Sequence, residues 1–201
     1  MRELALHILD IAENSVSAQA QNITICVTED LVIDRLTISV QDNGKGMDAE
    51  TVAHVIDPFV TSRTTRKVGL GIPLLKEAAE LCNGDLTIKS TPGVGTLINV
   101  DFQRNHIDRM PLGNLADTYL SLLVAHPEVH WRLQYKVISL EEGVTNDNPP
   151  GAVQQIFDFD DAPVKETLEG IPLCDPTVLT YLRGVFESSI QELQIDQDFI
   201  F

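Results

Sequence analysis

The sequence predicts an α/β fold in which helices cover one face of a sheet. Apolar residues recur at helical spacing in the opening segment, and two pairs of segments alternate apolar and polar residues with the period of a strand. Helix start signals lie between the two pairs. The predicted order for residues 1–102 is therefore α-β-β-α-α-β-β, and a sheet with one apolar face must bury that face under the helices.

The first three elements are predicted to be a helix and a hairpin. Apolar residues at helical spacing predict a helix over residues 3–18, and Ser15 lies on its apolar face. Alternating runs at residues 23–27 and 36–40 are separated by a polar turn. They predict two antiparallel strands.

Two helices and a second hairpin follow. Asp48 can cap a short helix. A longer helix is predicted to begin at Gly71 and to end at the Asn83-Gly84 pair, which is typical of a helix C-terminus. The strands of the second hairpin are predicted at residues 86–88 and 96–102.

Residues 103–201 predict a further α-β-β-α pattern. Its elements are expected at residues 111–125, 129–137 and 153–159, and in a last helix after Asp175-Pro176. We predict a domain of residues 1–102 and a C-terminal α/β extension of residues 103–201, which either extends the sheet or forms a small lobe. The extension carries a net charge of −10, against −6 for the first part. This charge suits a protein partner with a basic surface. An equally good explanation is that the extension only stabilises the first part of the chain.

Composition narrows the class of partner. The chain has 201 residues, of which 43% are hydrophobic and 22% charged, which is typical of a globular protein. Its net charge of −16 repels phosphate backbones and anionic membrane surfaces, so neither nucleic acid nor membrane is an expected partner. Three distant cysteines show no metal-site spacing, and no export signal or membrane-spanning stretch is found. We therefore expect a cytoplasmic protein.

Three groups of residues suggest nucleotide chemistry. Arg63, Arg66 and Lys67 precede a Gly69-Leu70-Gly71 turn and a helix start, where backbone N–H groups can converge on phosphates. Taken alone, this pattern is more often a structural turn.

The second group is the Asp42–Met47 segment, which follows a strand and precedes a helix. It is either a plain turn or a site where the Asp42 carboxylate accepts a hydrogen bond from an adenine amino group. The third group is Asp10 and Asn14, which share one helix face. The Asn14 amide oxygen suits Mg²⁺ and Asp10 could orient a water or accept a proton, but a solvated acidic face is the simpler explanation.

Together, and in this order, the motifs resemble the ATP-binding domain of the gyrase, heat-shock chaperone, histidine kinase and mismatch-repair superfamily (GHKL), the Bergerat fold. The resemblance covers residues 1–102. It implies a two-layer α/β sandwich with a mixed sheet and helices on one face, and ATP and Mg²⁺ as ligands. The matching segments are residues 10–15 (the N box), 42–47 (the first glycine box), 57–63 (the F box), 68–72 (the second glycine box) and 93–96.

The resemblance also implies roles for individual residues. Asn14 would hold Mg²⁺, Asp42 would bind the adenine amino group with support from Thr96, and Asp10 stands at the catalytic position. Arg63 would reach the phosphates. The implied nucleotide contacts are Asn14, Asp42, Gly44, Gly46, Met47, Phe59, Arg63, Lys67, Val68, Gly69, Leu70, Gly71 and Thr96.

The sequence departs from the family pattern in several places. Kinase members usually have another glycine where Lys67 stands, and the segment at residues 59–69 is short, so a small ATP lid is expected. Members that hydrolyse ATP carry Glu at the Asp10 position. Because the chain begins inside the N-box helix, we expect a stand-alone bacterial form without a phosphoacceptor domain, in which His7 is no phosphoacceptor. The other histidines lack a carboxylate or metal pattern and are expected at the surface or in the core; they are His54, His106, His126 and His130.

The resemblance implies a Mg-ATP-binding regulatory protein of signal transduction, an ATPase or a protein kinase that acts on a protein partner. The alternative is a non-catalytic, ATP-dependent binding switch similar to an anti-sigma-factor regulator.

Overall fold

The structure is a computed structural model that describes residues 3–56, 71–140 and 151–195. The predicted elements are present, together with one short helix that the sequence pattern missed. In chain order the elements are α1 (Leu4–Ser17), β1 (Asn22–Asp30), β2 (Arg35–Asp42), α2 (Ala49–Ile56), α3 (Gly71–Leu81), β3 (Asp85–Thr91), β4 (Gly95–Gln103), α4 (Leu115–Ala125), β5 (His130–Leu140), β6 (Ala152–Asp160), α5 (Asp161–Thr167) and α6 (Pro176–Ile195).

The strands form one mixed six-stranded sheet in the order β3-β4-β2-β1-β5-β6. β5 is parallel to β1, and the other neighbouring pairs are antiparallel. The C-terminal strands therefore extend the sheet rather than form a separate lobe. The division of the chain into domains at residue 102 stays a prediction, and the sheet is continuous across it.

One face of the sheet is buried and the other is polar. In β1, Ile23, Ile25 and Val27 are buried, whereas Thr24 and Cys26 between them are partly exposed. Buried residues of α1, α3, α4 and α6 complete the core, and α4 packs against both α1 and α6. The predicted class of fold, an α/β sandwich with helices on one face of a mixed sheet, is confirmed.

An aromatic cluster attaches α6 to the sheet. The Phe186 ring meets Tyr119 of α4 and Phe157 and Phe159 of β6 edge to face, with ring centroids 4.8 to 6.1 Å apart. Such pairs each contribute about 1 kcal/mol beyond the burial of their area. The buried residues of the extension also belong to the same hydrophobic core as those of the first part of the chain.

One predicted helix boundary was wrong, and one short helix was missed. α4 begins at Leu115 and not near residue 111, because Asn114 caps it by accepting a hydrogen bond from the Asp117 N–H (3.0 Å). The segment before it instead supplies the Pro111 and Leu112 carbonyls to the first N–H groups of α1, at 3.0 and 2.8 Å. α5 was missed because its seven residues carry little periodicity.

At the end of α3, the left-handed residue is Asn83 (φ 54°). The predicted glycine cap, Gly84, serves a different purpose, since a Cβ at this position would lie 1.8 Å from the Asp101 carbonyl oxygen of β4. Asn tolerates the left-handed conformation, so the glycine is used for close approach to the neighbouring strand. In the described ranges, no helix is both long enough and apolar enough to cross a bilayer.

Candidate functional site

The Asp42 carboxylate lies at the end of β2 and is held from two sides. Ser15 of α1 donates its hydroxyl to Asp42 Oδ2 (2.8 Å), and the Gly44 N–H donates to Oδ1 (2.8 Å). Thr96 is the residue opposite Asp42 on β4. Asp42, its first-glycine-box neighbour Gly44, and Thr96 are therefore brought together as the sequence predicted.

A small hydroxyl network continues from Thr96. Its Oγ1 is 2.9 Å from Ser90 Oγ, which also accepts the Met47 N–H (2.8 Å) and contacts the Gly95 carbonyl (3.0 Å). Ser90 therefore joins Met47 and Thr96, two residues that the resemblance placed around adenine. The sequence analysis missed Ser90, although its place on the inward side of the β3 alternation, in line with Leu86 and Ile88, offered a signal.

The segment at residues 43–47 is not a hairpin turn, because α2 follows it. It is anchored to two neighbours: the Lys45 N–H donates to the Ala18 carbonyl (2.9 Å), and the Lys45 carbonyl accepts from the Gly93 N–H (2.8 Å). Gly46 has φ 65°, and a Cβ there would lie 2.0 Å from the Thr91 carbonyl oxygen. Only glycine fits this left-handed close approach.

Asn43 also joins strands. Its Oδ1 accepts hydrogen bonds from the Gln21 and Asn22 N–H groups at 2.9 and 2.8 Å, which attaches the end of β2 to the start of β1. The sequence left two interpretations of the Asp42–Met47 segment open, a plain turn or an adenine site. The structure excludes a plain hairpin turn.

Asp10 and Asn14 share a face of α1, as predicted. Asn14 is exposed, and Asp10 is partly buried against the start of α3. A Cβ on Gly71, the first residue of α3, would lie 1.8 Å from Asp10 Oδ2, so only glycine lets the two helices meet here. The contact places the carboxylate beside Gly71, the last glycine of the second glycine box.

His7 lies one turn before Asp10 and is 3% exposed. Burial lowers the pKa of its imidazole, while the nearby Asp10 charge and a hydrogen bond to the Gly71 backbone act in the opposite direction. Its Nδ1 has no hydrogen-bond partner among the described residues. His7 is thus a core residue that packs behind Asp10.

Two histidines of the extension have carboxylate partners, so the expectation that they lack them was wrong. His126 Nε2 is 3.0 Å from the Glu13 carboxylate of α1. His130 Nε2 is 2.9 Å from Asp160 Oδ1 and 3.8 Å from the buried Asp161. These contacts join residues more than 25 positions apart, which no local spacing could indicate. His54 also lies 3.8 Å from Glu50, within α2.

The cluster of His130, Asp160 and Asp161 is the one group in the described ranges with three metal-type ligands close together. Part of its negative charge is already neutralised within the chain. Lys165 Nζ lies 2.6 Å from Asp161 Oδ2, and His130 holds the pKa of Asp160 below its usual range through their hydrogen bond. We therefore interpret it as a junction between β5 and α5.

The oxygen atoms that Asp10, Asn14 and Asp42 offer are of the kinds that bind Mg²⁺ and accept hydrogen bonds from a nucleotide. Asn14 offers an exposed amide oxygen, Asp10 a carboxylate, and Asp42 a carboxylate with one hydrogen bond on each oxygen and acceptor capacity left. The predicted phosphate and lid residues lie outside the described residues, and their placement stays a prediction; they are Phe59, Arg63, Lys67, Val68, Gly69 and Leu70.

Comparison with known proteins agrees with this arrangement. The family described as "Histidine kinase-, DNA gyrase B-, and HSP90-like ATPase" matches residues 2–106. Sensor histidine kinase YvrG of Bacillus subtilis is 32% identical over 95 residues, which cover 45% of this chain and 16% of YvrG. The non-motile and phage-resistance protein of Caulobacter vibrioides is 31% identical over 111 residues, which cover 51% of this chain and 13% of that protein. The chain thus spans less than a fifth of either relative.

Solved structures give weaker matches. The Aquifex aeolicus MutL ATPase domain complexed with ADP aligns with a TM-score of 0.44 and 16% identity, covering 66% of this chain and 60% of that one. The catalytic domain of histidine kinase ThkA aligns with a TM-score of 0.40 and 18% identity, covering 52% and 68%.

The mixed sheet under a layer of helices is that of a Bergerat-type ATP-binding domain. With the family match over more than half of its residues, the chain belongs to the histidine kinase-, DNA gyrase B- and HSP90-like ATPase family.

Proposed function

We propose that the protein binds Mg-ATP and regulates a protein partner, as an ATPase or a protein kinase of signal transduction. The observation that carries this proposal is the Asp42 carboxylate, held by Ser15 and the Gly44 N–H and paired in register with Thr96. A carboxylate fixed in this way can accept a hydrogen bond from an exocyclic amine without reorganising. Family membership supports ATP as the nucleotide.

The metal and the phosphates would bind on the α1 side. The Asn14 amide oxygen would be a ligand of Mg²⁺, which keeps water and phosphate oxygens as its other ligands. Arg63 and Lys67 would neutralise the phosphates, and the backbone N–H groups of the glycines at residues 69 and 71 would donate hydrogen bonds to them. When bound, Mg²⁺ would supply charge neutralisation for phosphoryl transfer, for which positioning and electrostatics do most of the catalysis.

Asp10 would orient the attacking group or accept its proton, with water or a partner side chain as the phosphoryl acceptor. The contact between Asp10 and Gly71 favours a second candidate, a non-catalytic switch. Here Asp10 only positions α3, and ATP binding changes the surface offered to a partner. Asp10→Asn separates the two: loss of turnover with unchanged ATP affinity supports catalysis, and absence of turnover in the wild type supports the switch.

ATP binding is tested first, by thermal unfolding with and without Mg-ATP. Ligand at 100 times its dissociation constant stabilises a protein by about 2.7 kcal/mol, or roughly 5 to 10 °C for a chain of this size. We expect this shift in the wild type and in Asp108→Asn, a control with the same charge change at an exposed site. Asp42→Asn should lose it. Equal shifts in both variants, or none in the wild type, would refute the adenine site.

A further inference from the structure

Three polar side chains form a row across neighbouring strands of the sheet. Asp42 of β2 is paired with Thr96 of β4, and Thr96 is paired with Ser90 of β3. Side chains of directly paired residues lie on the same face of a sheet, so the three polar groups lie side by side. Only Asp42 and Thr96 are among the proposed adenine contacts, whereas Ser90 contacts Thr96 from the other side.

The direction of each hydrogen bond at Ser90 follows from the number of hydrogens available. Its Oγ accepts the Met47 N–H at 2.8 Å and donates to the Gly95 carbonyl oxygen at 3.0 Å, because a carbonyl oxygen only accepts. A hydroxyl carries one hydrogen, so Ser90 has none left for Thr96. The contact between the two Oγ atoms, at 2.9 Å, is therefore a hydrogen bond in which Thr96 donates to Ser90.

The backbone around Ser90 supports this assignment. Gly95, whose carbonyl accepts the Ser90 hydrogen, lies against β2: its φ is 134°, and a Cβ there would lie 2.0 Å from the Asp42 carbonyl oxygen. Thr96 is only 8% exposed, so water has little access to its hydroxyl. The Ser90 hydroxyl thus donates once and accepts twice, which uses its full capacity.

Asp42 and Thr96 consequently both offer lone pairs to a ligand. The Thr96 hydrogen is used within the chain, so its oxygen can only accept a further hydrogen bond. The Asp42 carboxylate also accepts, and its bonds within the chain come from the donors Ser15 and Gly44. A group that binds between Asp42 and Thr96, directly or through a water, must bring hydrogens. The 6-amino group of adenine does so, whereas the 6-carbonyl of guanine or hypoxanthine brings lone pairs.

We propose that Ser90 is a positioning residue for base specificity, which holds the Thr96 hydroxyl as an acceptor and makes the site reject 6-oxopurine nucleotides. This inference rests on the proposed nucleotide site at Asp42. With Ser90 present, the O6 atom of such a base meets two acceptors. Without Ser90, the Thr96 hydroxyl is free to rotate and to donate its hydrogen to O6.

Calorimetry on the full chain with the magnesium complexes of ATP and inosine triphosphate tests the proposal. The ratio of the two dissociation constants is taken within one variant, so a partial loss of folded protein does not alter it. The wild type should bind ATP at least about a hundredfold more tightly than inosine triphosphate. Ser90→Ala should lower this ratio about tenfold. Ser39→Ala removes a partly exposed hydroxyl on the other face of β2 and should keep the wild-type ratio.

A double-mutant cycle asks whether Ser90 acts through Thr96. Thr96→Val keeps the shape of the side chain and removes the hydroxyl, so adding Ser90→Ala to it should leave the ratio unchanged. The same tenfold fall in both backgrounds would mean that Ser90 acts by another route, and would overturn the proposal.

The outcomes also separate this role of Ser90 from the nucleotide site itself. If the wild type binds ATP and Ser90→Ala keeps the full ratio, the site at Asp42 stands and the role of Ser90 is refuted. A wild type that binds both nucleotides equally well refutes it too. If the wild type binds neither nucleotide, the site at Asp42 is refuted, and the role of Ser90 is refuted with it.

Discussion

The candidate site has two halves, one at the end of β2 around Asp42 and one on α1 around Asn14. They differ in how many of their side chains are held by hydrogen bonds within the folded chain. At the end of β2, the Asp42 carboxylate, the 43–47 segment and the Ser90 hydroxyl are joined by hydrogen bonds to α1, β1 and the β3–β4 turn. On α1, Asn14 is exposed and makes no side-chain hydrogen bond to the described residues. The half of the site proposed to recognise the base is thus formed by folding, whereas the half proposed to hold the metal would acquire its partners from the ligand.

The extension contributes to the second half. Glu13, between Asp10 and Asn14 in the sequence, contacts His126 at the end of α4. The α4 helix packs on α1 and α6, and α6 closes the aromatic cluster. The α1 helix is therefore supported from the extension, which favours a stabilising contribution of residues 103–201 to the ATP-binding part.

Because the half at the end of β2 is held by hydrogen bonds within the chain, we expect mutations there to lower the free energy of unfolding as well as the affinity for ATP. The largest effect is expected for Gly46→Ala, because the Cβ would meet the Thr91 carbonyl at 2.0 Å in a left-handed conformation. We expect the free energy of unfolding, measured in urea, to fall by about 3 kcal/mol. We also expect the variant to lose the rise in melting temperature that Mg-ATP causes in the wild type. Gly93→Ala is the matched control: φ is 75° but the space is open, so about 1 kcal/mol should be lost. Similar losses in both variants would show that the close approach carries no cost.

Ser15→Ala is expected to have the next largest effect. It removes the hydroxyl that donates to Asp42 Oδ2 at 2.8 Å in a buried position. Loss of a hydrogen bond to a charged group costs about 1.5 to 3 kcal/mol. We expect ATP affinity, measured by calorimetry, to fall at least about tenfold. Ser17→Ala changes an exposed serine of the same helix and should alter neither quantity. Unchanged affinity in Ser15→Ala would mean that Asp42 needs no positioning.

The elements near Asp42 show what the sequence could and could not predict. The alternation of apolar and polar residues, together with the turn residues, located the strands around Asp42 and Thr96, because these signals are local in the sequence. Ser15 was visible as a hydroxyl on an apolar helix face, but its partner lies 27 residues away. The pair formed by His126 with Glu13 depends on packing between elements, and the sequence carried no sign of it. Ser90 lies in line with Leu86 and Ile88 in the β3 alternation, and this local signal was overlooked.

At the half proposed to hold the metal, we expect a mutation to change ligand binding and to leave the free energy of unfolding almost unchanged. Asn14→Ala changes an exposed helical residue to one with high helix propensity, so the free energy of unfolding should stay within about 0.5 kcal/mol of wild type. We expect Mg²⁺ to stop strengthening ATP binding in this variant, measured by calorimetry with and without the metal. If Mg²⁺ still strengthens binding as in the wild type, Asn14 is no ligand of the metal.

The smallest effect concerns pH and tests the packing behind Asp10. Because burial lowers the pKa of His7 below its unfolded value of 6.5, the unfolded chain binds more protons between the folded pKa and 6.5. Stability should therefore rise with pH through that window, and the contribution is lost as pH falls below 6.5. His7→Gln should flatten this part of the curve of unfolding free energy against pH, whereas His106→Gln, at a partly exposed position outside any helix or strand, should not. An unchanged slope in His7→Gln would mean that folding does not lower the pKa of His7, and would contradict the effect of its burial.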